Sequence, residues 1–168
     1  MRGAGLQSAR QVALQVLRFV EERDRTQNEQ TLCNVWTFSD EPMLLGAGLR
    51  ASELLDLPLS GSGASMLDRA LVESVRVTRG TLNSLRAQAR NRRDFRASIC
   101  SVLVSDLDTT DDWAHHGSEL AGMGRLSLVL IGDTASLARH AVDPSIFCVI
   151  AESSDLSHDQ VEHMLRTT

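Results

Sequence analysis

The order of apolar and polar positions divides the chain into segments of two kinds. Some repeat apolar residues at helical spacing, and others are short runs of β-branched or continuously apolar residues that are typical of strands. The segments predicted to be helical are 6–22, 52–57, 66–93, 113–123, 135–140 and 156–165. The segments predicted to be strands are 31–38, 43–45, 98–104, 126–131 and 146–150. Strands that alternate with helices predict an α/β fold, a three-layer α/β/α sandwich with a mostly parallel sheet.

Three local signals refine this prediction. The segment 126–131 is apolar at every position except Ser127, as in a strand buried on both faces. Gly80 lies in the middle of the longest helical segment and is expected to divide it in two. Ser157 is a candidate N-cap of the last helix.

Length and composition indicate one globular domain spanning residues 1–168, with 42% hydrophobic residues. No apolar run approaches the roughly 18 residues of a membrane span, and the N-terminus lacks a signal-peptide pattern, so we expect a cytoplasmic protein with no membrane partner. The net charge of −5 argues against nucleic acid as a partner. All 17 basic residues are Arg, and the absence of Lys and Tyr excludes a catalytic Lys or Tyr.

The three cysteines, Cys33, Cys100 and Cys148, each lie in a strand-like run. Their odd number and wide spacing do not form a disulfide framework or a CxxC pair. We therefore interpret them as small buried apolar residues, without a metal or redox role.

Ligands of parallel sheets bind at the carboxyl ends of the strands, which directs attention to the loops at 39–42, 60–65 and 105–112. Asp106 follows a predicted strand almost directly and is the best candidate for a cation ligand. Helix capping by Thr110, with carboxylates in the first helical turn, explains Asp111 and Asp112.

The small-residue loop at 60–65 precedes the longest helical segment. Its glycines allow close approach of the backbone to a ligand, and Ser65 would lie at the start of the helix. Taken alone, Ser65 is equally well explained as an ordinary N-cap.

The order and spacing of three short motifs resemble a von Willebrand factor type A domain. The motifs are Val35-Trp36-Thr37-Phe38-Ser39-Asp40, Ser62-Gly63-Ala64-Ser65 and Val104-Ser105-Asp106-Leu107. The stretch 106–113 is particularly similar to the D-G-E-P-T-D-D-W run of bacterial TerY-like proteins from tellurium-resistance clusters. The similarity extends over most of the chain.

The resemblance implies a metal-ion-dependent adhesion site that holds Mg²⁺ or another divalent cation. By position, Ser65 and Asp106 are the expected ligands. The possible outer-sphere residues are Ser39, Asp40 and Asp108. The chain departs from the family at Leu107, where a Gly is usual, and it lacks the first strand with its DxSxS motif. Two side chains plus water would hold Mg²⁺ weakly, because this ion requires about six oxygen ligands.

The missing strand is the central one of the family's sheet. Its loss leaves backbone donors and acceptors that are prone to pair with another chain. Three outcomes are open: the remaining strands close the gap, another chain or a second copy supplies the strand, or the domain is N-terminally incomplete. An in-frame DxSxS strand upstream of Met1 would establish the last outcome.

Three other patterns are weaker. Residues 46–51 match GxGxx(G/A), which leaves a nucleotide-binding enzyme as a distant alternative. The four residues His115, His116, His158 and His163 are interpreted as surface histidines, since adjacent helical positions point about 100° apart. A basic cluster is either a solvated helix end or a docking patch for an acidic or phosphorylated partner. Its residues are Arg86, Arg90, Arg92, Arg93 and Arg96.

No nucleophile paired with a base is recognisable, so we predict a protein that is not an enzyme. The resemblance implies a protein-interaction module in a bacterial stress or tellurium-resistance system. It binds an acidic ligand of a protein partner through a metal, or it acts as a metal-independent scaffold.

Overall fold

The computed structural model describes residues 4–38, 41–56, 66–89, 99–105, 112–131, 146–151 and 155–166. The helices of this part are α1 (Ala4–Gln27), α2 (Ala51–Leu54), α3 (Leu67–Ala89), α4 (Ala114–Met123) and α5 (His158–Leu165). Its strands are β1 (Cys33–Phe38), β2 (Pro42–Leu49), β3 (Cys100–Ser105), β4 (Arg125–Ile131) and β5 (Phe147–Ala151). The helix predicted at 135–140 lies outside the described residues.

The strands form two separate sheets. β3, β4 and β5 pair in parallel, in that order, with Val104 opposite Val129 and Val129 opposite Val149. β1 and β2 form an antiparallel pair of their own. The predicted α/β fold with a parallel sheet and helices is confirmed, but the described strands do not join into the single sheet that the sequence predicts.

The central strand β4 separates two hydrophobic clusters. On one face, its residues Val129 and Ile131 pack with α1, α2 and α5. On the other face, Leu126, Leu128 and Leu130 pack with α3 and α4. From Leu126 to Ile131 the strand is almost fully buried, which confirms the prediction of a strand covered on both faces.

The β1–β2 hairpin is longer than predicted, because β2 continues from Pro42 to Leu49 instead of covering only 43–45. Its two glycines remain within the strand. Gly48 has a φ of 63°, and its N–H donates to the side-chain oxygen of Asn34 on β1 at 2.8 Å. The pairing shifts register on either side of Val35. These irregularities disrupt the period-2 pattern from which β2 could have been recognised.

Helix boundaries follow capping chemistry more closely than polarity. α1 continues through charged residues to Gln27 and ends where Asn28 adopts a φ of 54°. α3 passes through Gly80 without a break, so the predicted division is wrong. The Ser157 hydroxyl accepts from the N–H of Gln160, which confirms this N-cap.

α4 begins later than the capping interpretation of the acidic loop requires. Its N-cap is Trp113, without a side-chain cap, and its first turn contains no acidic residue. Asp112 is exposed and precedes the cap. The prediction that Asp112 lies in the first helical turn is therefore wrong, and Thr110 and Asp111 lie outside the described residues.

Candidate functional site

All of the predicted cation ligands lie outside the described residues. These are Ser65, Asp106, Ser39, Asp40 and Asp108. The same holds for Arg90, Arg92, Arg93 and Arg96 of the basic cluster, whereas Arg86 lies exposed in the last turn of α3. The metal site and the docking patch therefore stay predictions. The helices and strands on either side of these segments are described, and their ends show from which edge of the sheet each segment begins.

Helix α1 runs antiparallel to the three-stranded sheet. In its first half, Gln15 accepts from the N–H of Leu156 at 3.0 Å and donates to Asp155 at 3.1 Å, just after the carboxyl end of β5. Near its other end, Arg23 lies close to the Cys100 thiol at the start of β3: burial raises the pKa of this thiol, and the charges of Arg125 and Arg23 oppose that rise. The first half of α1 thus lies at the carboxyl edge of the sheet, and its last turns lie at the amino edge.

The strand β1 begins at the same amino edge as β3. The pKa of Cys33, the first residue of β1, is raised to about 11, mainly by burial and also by Asp24, while Arg23 opposes the rise. Burial is also the main cause of the raised pKa of Cys100. Since Arg23 lies near the first residue of both strands, β1 and β3 begin on the same side of the domain.

Helix α3 begins at the carboxyl edge of the sheet. Asp68, in its first turn, contacts His116, in the first turn of α4, with 2.7 Å between Oδ1 and Nδ1. α4 follows the carboxyl end of β3 along the chain, so the starts of both helices lie at the carboxyl edge. The end of β3, before the segment at 106–111, and the start of α3, after the segment at 57–65, are thereby brought to one side of the domain.

Between β1 and β3 the backbone ladder is interrupted. These strands belong to different sheets, and no backbone hydrogen bond joins them in the part of the chain that the structure describes. β3 pairs only with β4, and β1 only with β2, among the described strands. We call the space between these two edges the β1–β3 gap.

Helices cover the β1–β3 gap from both layers. On the α1 side, Cys33 and Val35 of β1 and Val102 and Val104 of β3 pack against the same buried cluster, which includes Val12 of α1. On the opposite side, α3 contacts β1, and Leu103 of β3 packs against the cluster centred on α3 and α4. The two sheets therefore share one hydrophobic core although their backbones are not joined.

A buried donor lies near the amino end of the gap. The Nε of Arg23 is buried and makes no hydrogen bond to any of the described residues, although it forms an ion pair with Glu29 Oε2 at 3.6 Å, which is beyond hydrogen-bond distance. The Nη2 of Arg23 reaches the Thr31 hydroxyl at 3.5 Å, the limit of such a bond. Sequence patterns gave no signal for Arg23, because its proximity to β1 and β3 depends on how these strands pack against α1.

A second group of polar side chains lies on α4. One ligand atom from each of His115, His116 and Glu119 lies within 4.8 Å of the others, and the two imidazole centroids are 5.0 Å apart. His115, His158 and His163 are exposed, as the surface interpretation predicts, and His116 is partly buried. The angle of about 100° between adjacent helical positions does not keep the two imidazoles apart, because their nitrogens lie several bonds beyond Cβ.

The glycine-containing segment at 46–51 is built unlike a phosphate loop. Gly46 is paired with Val35 inside the antiparallel hairpin, and Ala51 begins a helix of only four residues. Nucleotide-binding glycines lie in the turn between a parallel strand and a longer helix whose N–H groups face the phosphates. This arrangement gives the nucleotide-binding alternative no structural basis.

The described helices include none that is both long and apolar enough to cross a membrane. Comparison of the chain with family models, curated proteins and solved structures returned no match.

Proposed function

We propose that this chain is a protein-interaction domain that accepts an extended segment of another protein in the β1–β3 gap. The observation that carries the proposal is the pair of sheets that share one core without a backbone bond between them. Unpaired strand edges have N–H and C=O groups that pair readily with a third strand, and strand addition is a recurring mode of peptide recognition. The absence of a recognisable catalytic pair agrees with a binding role.

The surroundings of the gap define the chemistry of the segment. Because helices lie on both faces, an inserted strand would be buried on both sides, as in a central strand of a parallel sheet. We therefore expect a run of Val, Ile and Leu, about six residues long to match β1 and β3. At its amino end, the buried Nε of Arg23 would donate to a carbonyl or carboxylate oxygen of the segment.

We also propose that the domain is of von Willebrand A type and lacks its central strand. Three observations support this: the ladder is interrupted between β1 and β3, β1 and β3 begin on the same side of the domain, and α3 begins at the carboxyl edge. On this proposal, Ser65 and Asp106 would bind Mg²⁺ or another divalent cation, with Ser39, Asp40 and Asp108 in the outer sphere. The module would serve a bacterial stress or tellurium-resistance system.

A fusion tests the gap directly. A six-residue Val/Ile segment is joined by a short turn to the start of α1, which lies at the carboxyl edge, so that it can enter parallel to β3. Pairing adds backbone hydrogen bonds and apolar burial; a net gain of about 2 kcal/mol would raise the melting temperature by roughly 4–8 °C.

The matched control carries Pro at two alternate positions of the segment, which removes N–H donors while keeping the segment apolar. If both fusions melt at the temperature of the unmodified chain, or if the Pro fusion is equally stabilised, the proposed gap is wrong. If the unmodified chain forms dimers and the Val/Ile fusion is monomeric, a second copy of the chain is the occupant of the gap.

The metal-dependent form of the proposal has its own test. Mg²⁺ that binds at Ser65 and Asp106 must raise the melting temperature, and Asp106→Asn must abolish the shift. A chain whose melting temperature does not respond to millimolar Mg²⁺ would be the metal-independent scaffold. Binding of an acidic or phosphorylated peptide that weakens in Arg86→Ala, together with Arg90→Ala and Arg93→Ala, would support the docking patch.

A further inference from the structure

We propose that His115, His116 and Glu119 form a binding site for a borderline divalent metal such as Zn²⁺. Their ligand atoms come within 4.8 Å of one another in the first two turns of α4. None of these three residues is a predicted Mg²⁺ ligand, and the proposal does not depend on the proposed function.

The spacing along α4 suits a shared ion. Glu119 follows His116 by three positions and His115 by four, which places its carboxylate on the same helical face as both rings. Zn²⁺ bonds are about 2.1 Å long, so tetrahedral ligand atoms are about 3.4 Å apart. The present separations of up to 4.8 Å must shorten by at most about 1.4 Å to reach this value, and His115 is exposed and can rotate to provide the movement.

A contact from another helix positions one of the ligands. The Nδ1 of His116 donates to Asp68 Oδ1 on α3 at 2.7 Å, and both side chains are about two-thirds shielded from solvent. This bond fixes the ring and leaves Nε2 as the nitrogen with a lone pair for a metal. A carboxylate bonded to the far nitrogen is the usual partner of metal-ligating histidines. Asp68 is thus a positioning residue, which an unrelated pair of surface histidines would lack.

Glu119 has a competing partner. Arg79 of α3 donates from Nη2 to Glu119 Oε1. The second carboxylate oxygen is a different atom, so an ion and Arg79 can share Glu119 at the cost of repulsion between two cations. Arg79 is 60% exposed and can also turn into solvent. Replacing Arg79 with a neutral residue is therefore expected to increase metal affinity.

The donor set selects the class of metal. Two imidazoles and one carboxylate suit Zn²⁺, Co²⁺ or Ni²⁺, whereas Mg²⁺ prefers an all-oxygen environment. Three protein ligands leave a fourth position for water or for a carboxylate of a bound partner. Because Ser65 and Asp106 offer only oxygen ligands, Mg²⁺ is the ion with which to test that site. Because Mg²⁺ binds imidazole poorly, Co²⁺ is the ion with which to test the site on α4.

The experiment is titration of the full chain with CoCl₂, followed by visible absorption, and with ZnCl₂, followed by calorimetry. We expect one ion per chain, loss of binding in His116→Gln and Glu119→Gln, and tighter binding in Arg79→Gln. Asp68→Asn should weaken binding about 10- to 100-fold, and Asp68→Glu should restore most of it. His163→Gln on α5 is the matched control and should leave affinity unchanged.

Circular dichroism of each variant verifies that it folds, and the exposed His115→Gln provides a further loss of affinity if His116→Gln does not fold. The proposal is overturned if the unmodified chain binds neither ion. It is also overturned if His115→Gln and Glu119→Gln bind as tightly as the unmodified chain, which would locate the ion elsewhere.

Discussion

Two glycines are expected to respond to alanine substitution with opposite signs. Gly124 lies between α4 and β4, beside the start of β3, where a Cβ would be 2.3 Å from the carbonyl oxygen of Ile99. Gly80 lies within α3, and a Cβ there would meet no atom within 4 Å. Alanine at position 124 must therefore displace the backbone, whereas alanine at position 80 fills open space.

The magnitudes follow from these contacts. Folded proteins essentially never place a Cβ closer than 3.0 Å to such an atom, so Ile99 or Gly124 must shift by at least 0.7 Å. The same carbonyl accepts from the N–H of Arg125 at 2.9 Å, so the shift also strains the first bond between β3 and β4. Overpacking of this kind destabilises by about 1–3 kcal/mol. Gly80→Ala should instead stabilise by about 0.5–1 kcal/mol, the difference between Gly and Ala inside a helix.

Urea unfolding followed by circular dichroism measures the free energy of unfolding of both variants. An unchanged m-value shows that the substitution changes stability without changing the surface exposed on unfolding. Gly122→Ala is a control for Gly124→Ala, because it lies two residues away on α4 and meets no atom within 4 Å. A Gly124→Ala chain as stable as the unmodified one would refute the close approach of β3 to this turn. A destabilised Gly80→Ala would refute an uninterrupted α3.

Three further perturbations are expected to have defined effects. Ser127→Ala should destabilise by about 1 kcal/mol in urea unfolding, because its buried hydroxyl donates to the carbonyl of Met164 at 3.1 Å; a change near zero would contradict this bond. Ser157→Ala should also lose about 1 kcal/mol, because it removes the cap that accepts from Gln160, and Ser157→Gly is the milder comparison. Because burial raises the pKa of Cys33 from 9.0 to about 11, alkylation of this thiol, followed by peptide mass spectrometry, should accelerate with pH without a plateau below pH 10. The stability that this shift contributes is fully present below pH 9 and is lost as pH rises through about 11. An alkylation rate that is half-maximal near pH 9 would instead indicate an unshifted thiol.

The parts of the fold that the sequence predicts well are those in which burial determines residue type. β4 was recognisable because both of its faces are covered, which favours apolar residues; from Leu126 to Ile131 only Ser127 is polar, and its hydroxyl is hydrogen-bonded. Ser157 was recognisable because capping uses a few residue types at one position. α1 exceeded its predicted length because its last two turns are solvent-facing, and charged residues such as Glu22 and Arg25 are compatible with a helix.

The features that sequence reasoning missed depend on contacts between distant segments. The separation of β1 from β3 was suggested only by the resemblance to a family whose central strand is missing here, since no periodicity along the chain encodes it. The bond between Asp68 and His116 joins residues 48 positions apart. Without that bond, His116 resembles any surface histidine, and the cluster with Glu119 could not be distinguished from a solvated helix face.

Hydrogen–deuterium exchange of the backbone amides, on a sample verified as monomeric, tests the β1–β3 gap most directly. In a parallel pair, alternate residues direct their N–H groups toward or away from the neighbouring strand. Between Ser101 and Val104 of β3, the amides that face away from β4 should therefore exchange on the order of 100-fold faster than Val129 at the centre of the sheet. Uniform protection of β1 and β3 at the level of β4 would mean that the two sheets are joined, and the proposed binding gap would not exist.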